Sequence, residues 1–360
     1  MQYQLKSRQV CFFLIAFMPI SKLFVLPSIL AGFSAEDMWL STVFNLFLDF
    51  LTLLAVVYAC KKSKKTFFNL LEDNFGKTGM KIVLSLYLIY FTLKAILPIN
   101  EQKDYVELTL YTLKPTIYYF LPFFLVAFYL CTKKIRVLGR ASDIMWLITI
   151  NGVLTLFVLS LGNADFGALL PVGAHGIGNI VKGSFSSLNW FGDAVYIMFF
   201  IGEFEYKKKD GVKILLSFLI GAVMIIAFMI IFYCIFTSIA YRQRFALTEI
   251  SKYTTVINNL GRFDYIGIIL ILFANLFSLS LPIYFSCKII NKLFSIKKVW
   301  IAPTIVVSLQ ALIPLFFNQH IFAIQNFLLS YASVFFFITA NVIPILTAFF
   351  AKKEALNANA

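Results

Sequence analysis

The chain alternates long apolar runs with short charged bursts. Ten runs read as membrane spans, at roughly 10–32, 38–59, 82–111, 116–131, 143–161, 184–205, 213–239, 263–287, 299–317 and 321–350. A helix crosses a bilayer in about 20 residues. The predicted fold class is therefore an all-α polytopic membrane protein with ten transmembrane helices, and no soluble domain or long linker is expected.

The first run, VCFFLIAFMPISKLFVLPSILAG, is not a clean helix. Pro19 and Pro27 each remove a backbone donor and clash with the preceding turn. Lys22 sits between them, and a charge at that depth costs roughly 2.5–3.5 kcal/mol on insertion scales unless it finds a partner or water. Broken backbone survives in a membrane only where protein or a cavity covers it. The segment is expected to line an internal site.

Span six breaks as well. In SSLNWFGDAVYIMFFIGE, Gly192 permits unwinding and Asp193 cannot face lipid. Two readings follow for Lys22 and Asp193. They pair with each other across the two breaks, or each meets one charged group of a zwitterionic ligand. Span three is the most polar, with Lys94, Pro98, Glu101, Lys103, Asp104 and Glu107. Lys94, Glu101 and Asp104 share one helical face. Pro98 is expected to kink the helix between Lys94 and Glu101, which are read as cavity-lining or paired. Asp49 in span two is isolated and suits a structural hydrogen bond or a relay equally well. The hydroxyls of Ser278 and Ser280 in span eight are read as satisfying their own helix.

Composition agrees with this picture. The chain is 61% hydrophobic with 42 Phe among 360 residues, and its mean hydropathy is +0.87. The net charge of +14 is spread in bursts, which argues for membrane orientation and against nucleic-acid binding. With the bursts around 61–81, 133–140, 207–213, 288–298 and 352–353 placed inside together with Lys6 and Arg8, 22 of the 31 Lys/Arg are cytoplasmic and 6 are outside. Both termini are then cytoplasmic. The segment 65–74 reads as an amphipathic helix on the membrane surface, with a partner contact as the alternative, and 133–140 as a lipid-headgroup contact. Cys11, Cys60, Cys131, Cys234 and Cys287 show no metal-ligand spacing and read as packing residues. Two prolines, an internal lysine and no small-residue cleavage site argue against a signal peptide. The only histidines, His175 and His320, fall in outer segments, and no nucleophile-and-base pattern is present. Neither an enzyme nor a cofactor is expected.

The breaks lie five spans apart. The chain thus reads as a single transmembrane domain of two halves, roughly 10–161 and 184–317, with the tenth helix at 321–350. Inverted repeats with broken first helices are a transporter plan whose site lies at the midplane.

Four stretches carry a family resemblance: SRQV running into a Pro-interrupted span with LPSIL, YTLKPTIYYFLP, RVLGRASDIMWLI, and ADFGALLPVGAHGIGNIVKGSF before WFGD. In their order and spacing the chain resembles the B subunit of GerA-type spore germinant receptors, the spore germination permease family of the amino acid–polyamine–organocation superfamily. The resemblance implies a LeuT-like fold and an amino-acid or other nutrient site between spans one, three, six and eight. It also implies assembly with an A-type membrane subunit and a C-type lipoprotein in the inner membrane of a bacterial spore. By position, Ile20, Ser21 and Lys22 fall at the first break, and Phe191, Gly192 and Asp193 at the second. Lys94 and Glu101 complete the expected ligand-binding set. Relatives often carry glycines at the first break, whereas this chain reads PISK. Lys22 either holds a ligand carboxylate or substitutes for a bound cation. The alternative functions are secondary amino-acid transport coupled to protons or sodium, and an ion-conducting subunit.

Overall fold

A computed structural model describes residues 4–110, 117–252, 264–316 and 320–350. The YTLKPT part of the third-span motif, the second half of the 241–262 segment and the basic pair at 352–353 lie outside the described residues. Among those described, the chain is helical, and its one β-type pairing is an isolated parallel bridge between Leu5 and Phe204. The first helices are α1 (Ser7–Phe17), α2 (Leu26–Ser34), α3 (Met38–Lys62), α4 (Phe67–Leu110), α5 (Ile117–Cys131) and α6 (Arg136–Ser160). They are followed by α7 (Ile177–Ser186), α8 (Ala194–Met198), α9 (Asp210–Phe236), α10 (Ala246–Lys252), α11 (Asp264–Leu293) and α12 (Ile301–Phe316). The chain ends in α13 (Ile321–Leu329), α14 (Ala332–Phe337) and α15 (Ile343–Phe350).

Six helical stretches are long and apolar enough to cross a membrane: Leu26–Lys62, Phe67–Glu107, Arg136–Asn163, Asp210–Arg242, Phe273–Leu293 and Ala332–Phe350. Shorter apolar helices occupy Phe120–Cys131 and Ile301–Pro314. Large apolar side chains such as Phe47, Leu125, Val158 and Val223 point outward, as they do on a surface solvated by lipid. The protein is an integral, multi-pass membrane protein.

The helix breaks fall where the prolines and Gly192 put them. The first span divides into α1 and α2, with a short 3-10 turn at Ile20–Lys22 between. The sixth divides into α7 and the short α8, with a 3-10 turn at Leu188–Trp190 before Gly192. The Ile20–Lys22 turn packs on α11, the Leu188–Trp190 turn on α13 and α14, and α8 on α3, so both breaks are covered by other helices.

Three expectations are corrected. The amphipathic segment lies against the protein, not the membrane surface. Phe67 stacks toward Phe199 with ring centroids 4.8 Å apart, and Leu70 and Leu71 are buried. An apolar stripe of that width fits a protein groove as well as lipid. The break in α4 is at Gly76, with φ of 69°, and helical dihedrals continue through Pro98. The last run is not one uniform helix. It ends α13 before Ser330 and holds a π-helical stretch at Ile338–Val342 between α14 and α15.

Candidate functional site

Each helix break exposes backbone groups that no water can satisfy at the membrane midplane. Charged side chains satisfy them. The Lys22 ammonium, fully buried, donates to the Met18 carbonyl at 2.9 Å, where α1 has ended. It also donates to Asp193 Oδ2 at 2.5 Å and lies 5.2 Å from the centre of the Phe191 ring. Lys22 therefore ties the first break to the second. From α4, the Lys94 ammonium donates to the carbonyls of Asn189, at 3.1 Å, and Phe191, and it lies 5.6 Å from the centre of the Tyr90 ring. It closes off the end of the Leu188–Trp190 turn much as a metal cation would. From α3, both carboxylate oxygens of Asp49 accept from the Gly192 amide, at 3.0 and 2.9 Å.

Gly192 has φ of 88°, and a Cβ there would lie 2.6 Å from Tyr90 Oη and 2.8 Å from Ala340 Cβ. Glycine is required both by the left-handed backbone and by the closeness of α4 and the π-helical stretch.

A cavity of about 30 Å³ adjoins these groups, and Ser21, Lys94, Asn189, Trp190, Asp193 and Ser278 are among the residues lining it. Its volume is about one water's share of the liquid, too small for an amino acid. Both polar atoms of the Asn189 side chain and Tyr90 Oη are buried without hydrogen-bond partners. A bound molecule could satisfy them.

On the α10 side an aromatic layer covers the site. Tyr105 packs edge-on against Phe24 and Phe245, with centroids 6.0 and 5.4 Å apart. The Ala246 amide donates to the Phe24 carbonyl at 2.8 Å, and Arg244 pairs with Asp104 at 2.5 Å.

Of the expected site residues, Lys22, Lys94, Phe191, Gly192 and Asp193 come together, and Ser21 lines the cavity. Ile20 is buried in the 3-10 turn, where its carbonyl accepts from the Leu23 amide. Glu101 does not line this cavity. Seven residues beyond Lys94, it lies about 10 Å further along the helix, among Arg244, Asp104 and Trp190. Asp49, Tyr90, Asn189 and Trp190 were not among the expected set. A carboxylate isolated within an apolar span was the signal for Asp49. The other three carry no signal apart from their neighbours in space.

The fold is that of known transporters. A crystal structure of a mutant manganese transporter from Eremococcus coleocola aligns with a TM-score of 0.62 at 12% identity, covering 95% of this chain and 78% of that one. The same transporter in complex with an aromatic bis-isothiourea substituted compound aligns with a TM-score of 0.56 at 12% identity, covering 94% and 78%. At this identity the likeness shows the fold alone, which is LeuT-like. No curated protein matches the sequence. The family model described as "Spore germination protein" matches residues 4–323, and with that match, on a transporter-like fold, the chain belongs to the spore germination protein family.

Proposed function

We propose that this chain is the nutrient-sensing membrane subunit of a spore germinant receptor, which binds an amino acid or similar small molecule at the midplane and triggers germination. The observation that carries this reading is the Lys22–Asp193 bridge between the two helix breaks. A zwitterion bears the same two charges. Its carboxylate can replace Asp193 on Lys22, and its ammonium can replace Lys22 on Asp193. Ile20, Ser21, Phe191, Gly192 and Lys94 supply the surrounding backbone and charge, and Glu101 belongs to the polar layer above.

The cavity holds about one water. A nutrient therefore binds an expanded arrangement and shifts the population toward it by its difference in affinity for the two. The A-type membrane subunit and the C-type lipoprotein are the partners that would read this shift, in the inner membrane of the spore. The Lys/Arg distribution supports cytoplasmic termini.

The test is binding of radiolabelled amino acids and nucleosides to the purified protein and to its Lys22→Ala and Asp193→Ala variants, followed by uptake in proteoliposomes. Saturable binding that both variants weaken, with no accumulation under a proton or sodium gradient, is the expected result. Binding that neither variant changes would remove the site. The transporter-like fold favours a second reading, secondary amino-acid transport or an ion-conducting subunit, and gradient-driven accumulation or ion flux would establish it.

A further inference from the structure

A second cavity, of about 140 Å³, lies across a pair of aromatic rings from the midplane cavity. Tyr196 lines the first and Phe285 lines the second, and their ring centroids are 5.5 Å apart. The two cavities are therefore separated by one pair of rings. In the charge-based orientation the second faces the cytoplasm.

Its floor is aromatic, made by Phe68, Phe199 and Phe285. Its polar lining is Glu203, Lys134, Lys288 and Gln4. The amides of Gln4 and Leu5 both donate to the Glu203 carbonyl at 3.0 Å, which straps the N-terminal segment over the mouth. Gln4 Oε1 is buried without a partner. The Glu203 side chain has neither an ion pair nor a hydrogen bond among the described residues. Lys288 donates to the Lys133 carbonyl at 3.3 Å, which leaves ammonium protons to spare.

We propose that this pocket is a second ligand site, for a small α-amino acid or a zwitterion of that size. A carboxylate, an amide oxygen and aromatic faces together suit an ammonium group. Two lysines suit a carboxylate, and they repel a simple cation. The volume equals roughly five waters at ~30 Å³ each, the size range of a small amino acid. The proposal stands independently of the midplane reading, because none of these groups contacts Lys22 or Asp193.

The test uses full-length protein in nanodiscs with the midplane site disabled by the Lys22→Met/Asp193→Leu double variant. Binding of radiolabelled L-alanine, L-serine and L-valine at millimolar concentration is measured, with ethylamine and propionate as competitors that each lack one charge. Glu203→Gln is expected to weaken amino-acid binding by about tenfold, the scale of one charge-assisted hydrogen bond. It should also abolish competition by ethylamine while leaving competition by propionate. Lys288→Gln should do the reverse. Three results would each overturn the proposal: no binding of the three amino acids to the Lys22→Met/Asp193→Leu protein, binding unchanged by both pocket variants, or loss of both competitors together.

Discussion

Asp49 grips the Gly192 amide with both carboxylate oxygens, at 3.0 and 2.9 Å. A residue of α3 thus fixes the point at which the sixth span unwinds. Asp49→Ala leaves that amide without an acceptor, at a cost of about 1–3 kcal/mol, and leaves Lys22 and Lys94 opposed by one carboxylate. Asp49→Asn keeps an acceptor oxygen. Thermal unfolding in detergent should show a larger loss for Ala than for Asn, and equal losses would mean that the amide bond is not what matters.

Breaking the central pair from one side leaves a buried charge alone, which costs about 3–5 kcal/mol. Lys22→Met and Asp193→Leu should each destabilise strongly. The double variant should be more stable than either single one, because two apolar groups can fill the space without an orphaned charge. A double-mutant cycle on unfolding midpoints measures this coupling, and additive losses would argue against it.

Gly192→Ala places a methyl group 2.6 Å from Tyr90 Oη, on backbone with φ of 88°. The strained backbone alone costs on the order of 1–3 kcal/mol. Tyr90→Phe removes the nearer obstacle and Ala340→Gly the second, at 2.8 Å. Each should recover part of the lost stability in the Gly192→Ala background. No recovery from either would place the whole cost in the backbone.

Arg244 and Asp104 join α4 to the segment leading into α10, and Arg244 is 45% exposed. An ion pair of this exposure is worth about 0–1 kcal/mol, so its loss should loosen the cover without unfolding the protein. In a Ser21→Cys background, Arg244→Ala should raise the rate of labelling by a membrane-impermeant thiol reagent added from that side. An unchanged rate would mean that the Phe24–Tyr105–Phe245 layer seals the site unaided.

The broken helices were legible because Pro19, Pro27 and the Gly192–Asp193 step interrupt apolar periodicity outright. The Lys22–Asp193 pairing followed from charge alone, since neither group can face lipid. Glu101 stands apart from the midplane cavity because sharing a helical face with Lys94 says nothing about depth, and seven residues move a side chain about 10 Å along the axis. The segment 65–74 was misread because its amphipathic pattern is the same for either apolar partner. Tyr90, Asn189 and Trp190 could not be found in the sequence, because polar tips on aromatic or amide side chains acquire meaning only from what surrounds them.

The midplane groups carry a further consequence for how the protein responds to electrical conditions. Lys22 and Lys94 bear two formal positive charges, and Asp49 and Asp193 bear two negative ones. A membrane potential does work of about 2.3 kcal/mol per elementary charge per 100 mV, but a set of charges that sums to zero and moves together draws almost none of it. A neutral zwitterion entering the site adds none either. Opening that keeps the four groups at one depth should therefore be insensitive to voltage.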